Sequence, residues 1–306
     1  MHDQNTTTTG PTYGIAPPEY RLPSELRLGP VRLQVLDLER SLDYYGGVLG
    51  LRELGRGGGE VTLAAHGEDR PLVVLRERRG AVPVPPRGRI GLYHFAILLP
   101  SRADLGRFLR HLAELGERVG ASDHYVSEAI YLRDPDGLGI EVYADRPRSA
   151  WEADGREIRM ATVPLNASEV LAAAGDTRWA GMPEGAVIGH LHLHVGDLAQ
   201  AEAFYHRALG LDKVVWSYPG ALFLSAGGYH HHLGVNTWAA GTAPAGEGDA
   251  KLVEWTMELP DAESVAGAAR SLLEAGYPVD QVAEGEIVTP DPWGTQLRVR
   301  VRGDGS

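Results

Sequence analysis

Histidine is the densest source of chemistry in this chain, with twelve histidines and no cysteine among 306 residues. Without thiolates, any bound transition metal has to be held by imidazole and carboxylate. His190, His192 and His194 alternate with leucines in GHLHLH, so a period of two sets all three on one face of a strand, and one of them is expected to ligate. The run Tyr229-His230-His231-His232 lies between Phe223-Leu224 and Leu233; read as strand, it turns His230 and His232 one way and His231 the other. His94 is followed by alternating Ala96 and Leu98, and Glu141 stands between Ile140 and Val142. A carboxylate buried unpaired in such a strand is costly, and a metal ion would account for it.

The elements that position these residues repeat. VRLQVLDLERSLDYYGGVLGL at 31–51 returns as LHLHVGDLAQAEAFYHRALGL at 191–211, in register for its whole length. Each reads as a strand, an Asp cap (Asp37, Asp197), a helix and a terminating glycine (Gly50, Gly210). Segments 92–116 and 252–276 repeat the strand and helix in other words, and Asp-Pro-x-Gly marks a tight hairpin in 129–144 and 286–301. The chain therefore reads as α+β, built of four βαβββ modules at 28–79, 89–146, 187–238 and 250–302. Taken in chain order they form two halves, 28–146 and 187–302. Residues 1–27 are expected to be a tail, and 147–186 a linker in which SEVLAAAG forms a short helix.

The V-x-D-L openings and DPDG-x-x-IE close resemble the vicinal oxygen chelate superfamily of glyoxalases, bleomycin-resistance proteins and extradiol dioxygenases. GLYHFAILLPSR, SEAIYLRDPDGLGIEVYADRPR, IGHLHLHVGDL and FLSAGGYHHHLGVNTW are similar to the four-module catechol 2,3-dioxygenase group. The resemblance implies modules paired into two open eight-stranded cups, with metal ligands on the first and last strands of a module. The first-strand place falls on Pro30, His94, His190 and Glu254 in modules one to four; the last-strand place falls on Glu141 in module two and Arg298 in module four. Module three offers no acid there. Sequential pairing would leave neither cup a complete site. Pairing module two with module three assembles His94, Glu141 and His190, two imidazoles and a carboxylate, the facial triad of non-haem Fe(II) oxygenases.

The same resemblance implies an Fe(II)-dependent enzyme opening the ring of catechol or a substituted catechol with dioxygen, Mn(II), Zn(II) and Ni(II) being the alternative metals. His231 falls at the place of a proton-handling histidine, with His232 the next choice, and Tyr131 at that of a hydrogen-bond donor to the reacting oxygens. His124 takes the second histidine's place, but at a spacing two residues short of the family's. Trp238, Tyr218, Phe223 and Trp255 are candidate pocket walls. Two other readings compete. A glyoxalase-like lyase or isomerase would use four protein ligands, and the acid missing from module three weighs against it; a drug-binding resistance protein would lack metal ligands altogether.

The remaining composition excludes more than it selects. Forty-one acidic against 29 basic residues give a formal charge of -12, which repels phosphate backbones and anionic membranes, so the expected partners are a small aromatic diol and dioxygen, not nucleic acid. No basic start precedes an apolar core and no long apolar run could span a bilayer, which with the absence of cysteine leads to the expectation of a cytoplasmic protein without membrane attachment. Assembly into a homo-oligomer is left open.

Overall fold

The computed structural model describes residues 13–303. Each expected module is present as one strand, one helical segment and three further strands. Module one comprises β1 (Arg27–Val35), α1 (Leu38–Gly47), β2 (Arg52–Gly57), β3 (Glu60–Ala64) and β4 (Pro71–Glu77). Module two comprises β5 (Gly91–Leu98), α2 (Arg102–Leu115), β6 (Gly120–Asp123), β7 (Ser127–Arg133) and β8 (Gly139–Asp145). The connection carries a hairpin, β9 (Ala153–Asp154) with β10 (Glu157–Ile158), then β11 (Val163–Pro164) and α3 (Ala167–Ala173), the short helix expected from SEVLAAAG.

Module three follows with β12 (Val187–His194), α4 (Leu198–Ala201), β13 (Asp212–Val215), β14 (Ala221–Ser225) and β15 (Leu233–Asn236). Its helix widens after one turn into a π-helical stretch, Glu202–Ala208, that buries Phe204, Tyr205 and His206. Module four comprises β16 (Lys251–Leu259), α5 (Ala262–Glu274), β17 (Asp280–Ala283), β18 (Glu286–Pro290) and β19 (Gln296–Val301). Asp37 and Asp197 cap their helices as expected, accepting from the backbone N–H of Arg40 and Gln200.

Sheet order shows how the modules combine. One sheet runs β17-β18-β19-β16-β1-β4-β3-β2 and joins modules four and one; the other runs β11-β6-β7-β8-β5-β12-β15-β14-β13 and joins modules two and three. The halves 28–146 and 187–302 are thus divisions of the chain and not of the sheets, each of which takes one module from either half. The second sheet has nine strands where eight were expected, because β11 of the connection pairs with the edge strand β6. The supposed tail also needs correction: residues 13–26 pack on the body. Leu22 and Leu26 are buried, Ile15 bridges to Lys213, and Arg21 clasps Asp212 at 2.6 Å, giving a nearly buried carboxylate the cation it requires. Residues 1–12 of that segment lie outside the described residues.

Successive modules are tied by a device used twice. Asp134 of the DPDG turn accepts from the backbone N–H of Asp136 and Leu138 through one oxygen, while the other accepts from Tyr45 of module one at 3.2 Å. Asp291 of the DPWG turn accepts from Trp293 and Thr295 in the same way, and from Tyr205 of module three at 2.8 Å. Helix tyrosines of the odd modules thereby lock the last hairpins of the even ones, and β8, which carries Glu141, starts from such a locked turn.

Burial pushes the Asp134 carboxyl up to about 7, although its two backbone donors favour the charged form. The folded chain therefore keeps a proton that the unfolded chain, titrating near ~4, has already released, so folding stability falls as pH rises between those values. Asp134→Asn cannot ionise. Urea unfolding of the two proteins from about pH 4 to about pH 8 is expected to show the parent losing stability relative to the variant as pH rises; parallel curves would mean that Asp134 titrates alike in the folded and unfolded chains.

Candidate metal centre

Strand register builds the site. Glu141 on β8 lies beside Ala96 on β5, and Ala96 lies opposite His190 on β12. On the other side Tyr131 of β7 pairs with Glu141, so Tyr131, Glu141, Ala96 and His190 form one row across four adjacent strands. His94, two residues before Ala96, faces the same way and pairs with His192. The small side chain at Ala96 leaves a hollow in the row, over which the longer side chains meet. Gly189 permits another close approach: a Cβ there would stand 1.9 Å from the Tyr143 hydroxyl, whose ring lies 4.7 Å from that of His190.

His94 Nε2 and His190 Nε2 approach the same oxygen, Glu141 Oε2, at 3.0 and 3.3 Å. The three donor atoms all lie within 4.8 Å of one another, and the residues are only 5%, 2% and 2% exposed for His94, Glu141 and His190. Burial would raise the Glu141 carboxyl, but the imidazoles of His190 and His94 hold it well below the usual carboxylate range, while burial pushes both imidazoles below theirs. The set is thus one carboxylate and two imidazoles, which when unprotonated have lone pairs to give. Among the described residues no lysine or arginine pairs with Glu141, and His94 Nε2 is buried without a hydrogen-bond partner. A buried anion lacking a cation, beside an orphaned imidazole nitrogen, is a donor set that fits a divalent metal ion.

Above the triad opens a cavity of about 300 Å³. The sequence candidates Tyr131, His124, His231, Tyr218, Phe223 and Trp238 all border it. Trp255 does not: it is fully buried in the core of the other sheet, because β16 pairs with β1 and lies outside the cavity sheet. Sequence reasoning missed a further wall, Met160, Ala161 and Thr162, supplied by the connection between modules two and three. Nothing in a segment with such short strands marks it as part of a site. Tyr93 at the β5 edge was missed as well.

Of the three histidines on β12, two are already engaged. Asn236 donates through Nδ2 to His192 Nε2 at 2.9 Å and accepts through Oδ1 from His194 Nδ1 at 2.7 Å, leaving His190 as the ring turned to Glu141. The triple histidine is not strand, since β15 starts only at Leu233. Even so, His231 reaches the cavity while its neighbours turn away. His230 Nε2 lies 2.8 Å from Asp145 Oδ1, and His232 Nδ1 accepts from the Ala226 amide at 3.2 Å. Burial drives the His231 imidazole well below its ordinary range, so the ring stands neutral.

Tyr131 and His124 make a pair. His124 Nδ1 donates to the Ala161 carbonyl at 2.7 Å; in a neutral ring Nε2 is then bare and accepts from the Tyr131 hydroxyl, 2.5 Å away. Tyr131 stays protonated, its hydroxyl held well above the usual range by burial and then by the Glu141 charge. The short spacing of His124 is met by a tight turn in which Tyr125 adopts a left-handed φ of 69° and the His124 amide donates to Ser127. In the other sheet the corresponding places hold an ion pair: Arg298 contacts Glu254 at 2.8 and 2.9 Å and also bonds Glu286. A guanidinium there fills the position that a cation would need.

Known proteins share this chain's sequence pattern and fold. The family model described as Glyoxalase/Bleomycin resistance protein/Dioxygenase superfamily matches residues 27–142 and 187–295. A catechol-2,3-dioxygenase of Bacillus subtilis (strain 168) is 44% identical over 273 residues, covering 88% of this chain and 94% of the relative. Among solved structures, a protein from Bacillus subtilis subsp. subtilis str. 168, itself named only provisionally as a dioxygenase, superposes with a TM-score of 0.64 at 15% identity, over 94% of this chain and 87% of that one. Glyoxalase I from Zea mays gives a TM-score of 0.54 at 17% identity, over 90% and 92% of the two chains. At such identities the structural likeness speaks for the fold alone.

The geometry predicts a sharp division among carboxylates. Glu141→Ala, and likewise His94→Ala or His190→Ala, is expected to cut bound divalent metal from about one ion per chain to a small fraction, because three donors cannot lose one without losing most of their grip. Glu254→Gln is expected to leave it unchanged. Metal analysis of the four variants after anaerobic loading checks both; loss in Glu254→Gln would move the site to the other sheet.

Proposed function

This chain belongs to the glyoxalase/bleomycin resistance protein/dioxygenase superfamily, and from that premise we propose that it is an Fe(II)-dependent extradiol dioxygenase that opens the ring of catechol or a substituted catechol. The observation that carries the reading is the convergence of His94, Glu141 and His190 on one point at the floor of an aromatic-walled cavity. The relative at 44% identity, named a catechol-2,3-dioxygenase, supports the choice of reaction. Among the described residues Glu141 is the only carboxylate lining the cavity, so a fourth protein ligand of the kind expected for a glyoxalase-type site is wanting.

In this reading His94 Nε2, His190 Nε2 and Glu141 would hold the ion. An Fe(II) so held would supply binding of substrate and dioxygen and a path for electrons from the ring to the oxygen. The protein's own groups do the rest. Phe223 and Trp238 border a space of about 300 Å³, room for a single substituted ring. His231, neutral and packed with its ring 4.1 Å from that of His190, is placed to take the proton of a substrate hydroxyl and return it as the ring opens. Tyr131, kept protonated, stands on the opposite side of the row; its one O–H is given to His124 Nε2 in the free site and turns to the reacting oxygens when substrate is bound. Both atoms of dioxygen end in the ring-opened semialdehyde, so no external reductant is consumed.

The test is direct. Anaerobically iron-loaded protein is expected to turn catechol into a yellow ring-cleavage product on admission of dioxygen. His231→Ala is expected to keep its metal and lose ~10²–10⁴-fold in kcat, the usual worth of general acid–base help. Metal lost together with activity would make His231 a ligand, and full activity would remove it from the mechanism.

A further inference from the structure

His231 does not stand alone. Its Nδ1 lies 2.8 Å from His230 Nδ1, and His230 Nε2 lies 2.8 Å from Asp145 Oδ1, so two successive histidines and an acid on β8 form an unbroken chain. The acid end is a quarter exposed, the middle ring is fully buried, and the last ring borders the cavity. We propose that Asp145 and His230 are positioning residues for the dioxygenase reaction, which through this chain fix the proton of His231 on Nδ1 and leave its Nε2 bare towards the substrate. The proposal rests on the functional reading of His231 given above.

The argument is one of donors and acceptors. A carboxylate only accepts, so His230 Nε2 must carry the hydrogen bonded to Asp145. In a neutral His230 ring Nδ1 is then bare, and the contact at 2.8 Å is a hydrogen bond only if His231 Nδ1 is the donor. His231 Nε2 has no protein partner among the described residues and is the nitrogen left for the cavity. When it takes a hydroxyl proton from the substrate, an N–H bond forms as the O–H bond breaks. The Nδ1 proton can then move along its hydrogen bond to His230, placing positive charge nearer Asp145 and farther from the metal ligands. This is the orienting role that the acid plays for the histidine of a hydrolase triad, extended by one ring.

Neighbouring groups hold the chain in place. The Tyr229 hydroxyl lies 2.7 Å from that of Tyr143 and donates to Asp145 at 3.3 Å, and the Tyr229 ring packs on His230 with centroids 4.1 Å apart. The ring of Trp151, from the connection, meets that of His230 edge-on with centroids 5.2 Å apart. Asp145 thus serves the cavity without touching it, since it is absent from the lining while both ends of the chain are fixed.

Nitrogen-15 NMR of the full chain labelled at histidine, recorded without added metal and assigned with His231→Gln, reads the tautomer apart from turnover. The expected result is a proton on Nδ1 of His231 in the parent, displaced wholly or partly to Nε2 in Asp145→Asn. The iron-loaded Asp145→Asn enzyme is expected to keep its metal content and KM for catechol while kcat falls on the order of 10²-fold. A parent with the proton on Nε2, or an Asp145→Asn enzyme with kcat within about twofold of the parent, would overturn the proposal. If the parent cleaves no catechol, the functional reading fails, whereas the nitrogen signals still decide the tautomer.

Discussion

A carboxylate that is 2% exposed and has no lysine or arginine beside it among the described residues is the constraint around which this structure is arranged. At three other buried carboxylates the chain answers that problem with arginine: Glu128 has Arg102, Glu258 has Arg300 and Asp212 has Arg21. Glu141 has instead two imidazoles whose Nε2 atoms meet the same oxygen. Neutral imidazoles do not neutralise an anion, and in the proposed reading a divalent metal ion supplies the further positive charge. The register that places the row, the small residue at Ala96, and Asn236 holding His192 and His194 aside all serve to keep three donors converging on a point.

The duplicated architecture makes the contrast visible within one chain. Both sheets are built from a first-strand-to-first-strand junction, β5 with β12 and β1 with β16, and both offer places on the same strands. In the sheet of modules two and three those places are His94, Glu141 and His190. In the other, Pro30, Glu254 and Arg298 occupy them, and Arg298 closes the gap as a forked ion pair with Glu254. The second sheet keeps the scaffold and contributes the Tyr45 lock on the Asp134 turn from which β8 departs. Chemistry and support have thus been divided between copies of one unit.

Much of this was legible in the residues. The repeat of 31–51 at 191–211 exposes the modules, because strand alternation, aspartate caps and helix-ending glycines are local physics. The inventory of acids and histidines singles out modules two and three as partners, since no other pair offers two first-strand histidines and a last-strand acid. What stayed hidden was set by tertiary packing. Residues 13–26 read as a tail because their partner, Asp212, is distant in sequence. The wall at Met160–Thr162 comes from a connection whose strands are two residues long, below the reach of periodicity. Trp255 was misplaced because an aromatic's destination depends on which sheet its strand joins. Asp145 next to His230 is a contact of two loop-proximal groups far apart in the chain, which no spacing rule could reveal.

The central claim is that one divalent metal sits among His94, Glu141 and His190 and is held by no other side chain. Crystals grown anaerobically with Fe(II), with diffraction recorded on both sides of the iron absorption edge, test it most directly. The account predicts one strong anomalous peak per chain, roughly 2 Å from each of His94 Nε2, His190 Nε2 and a Glu141 oxygen, with the cavity side free of protein ligands. A peak bound by a fourth side chain, one located at Glu254, or no peak in fully loaded crystals would contradict it.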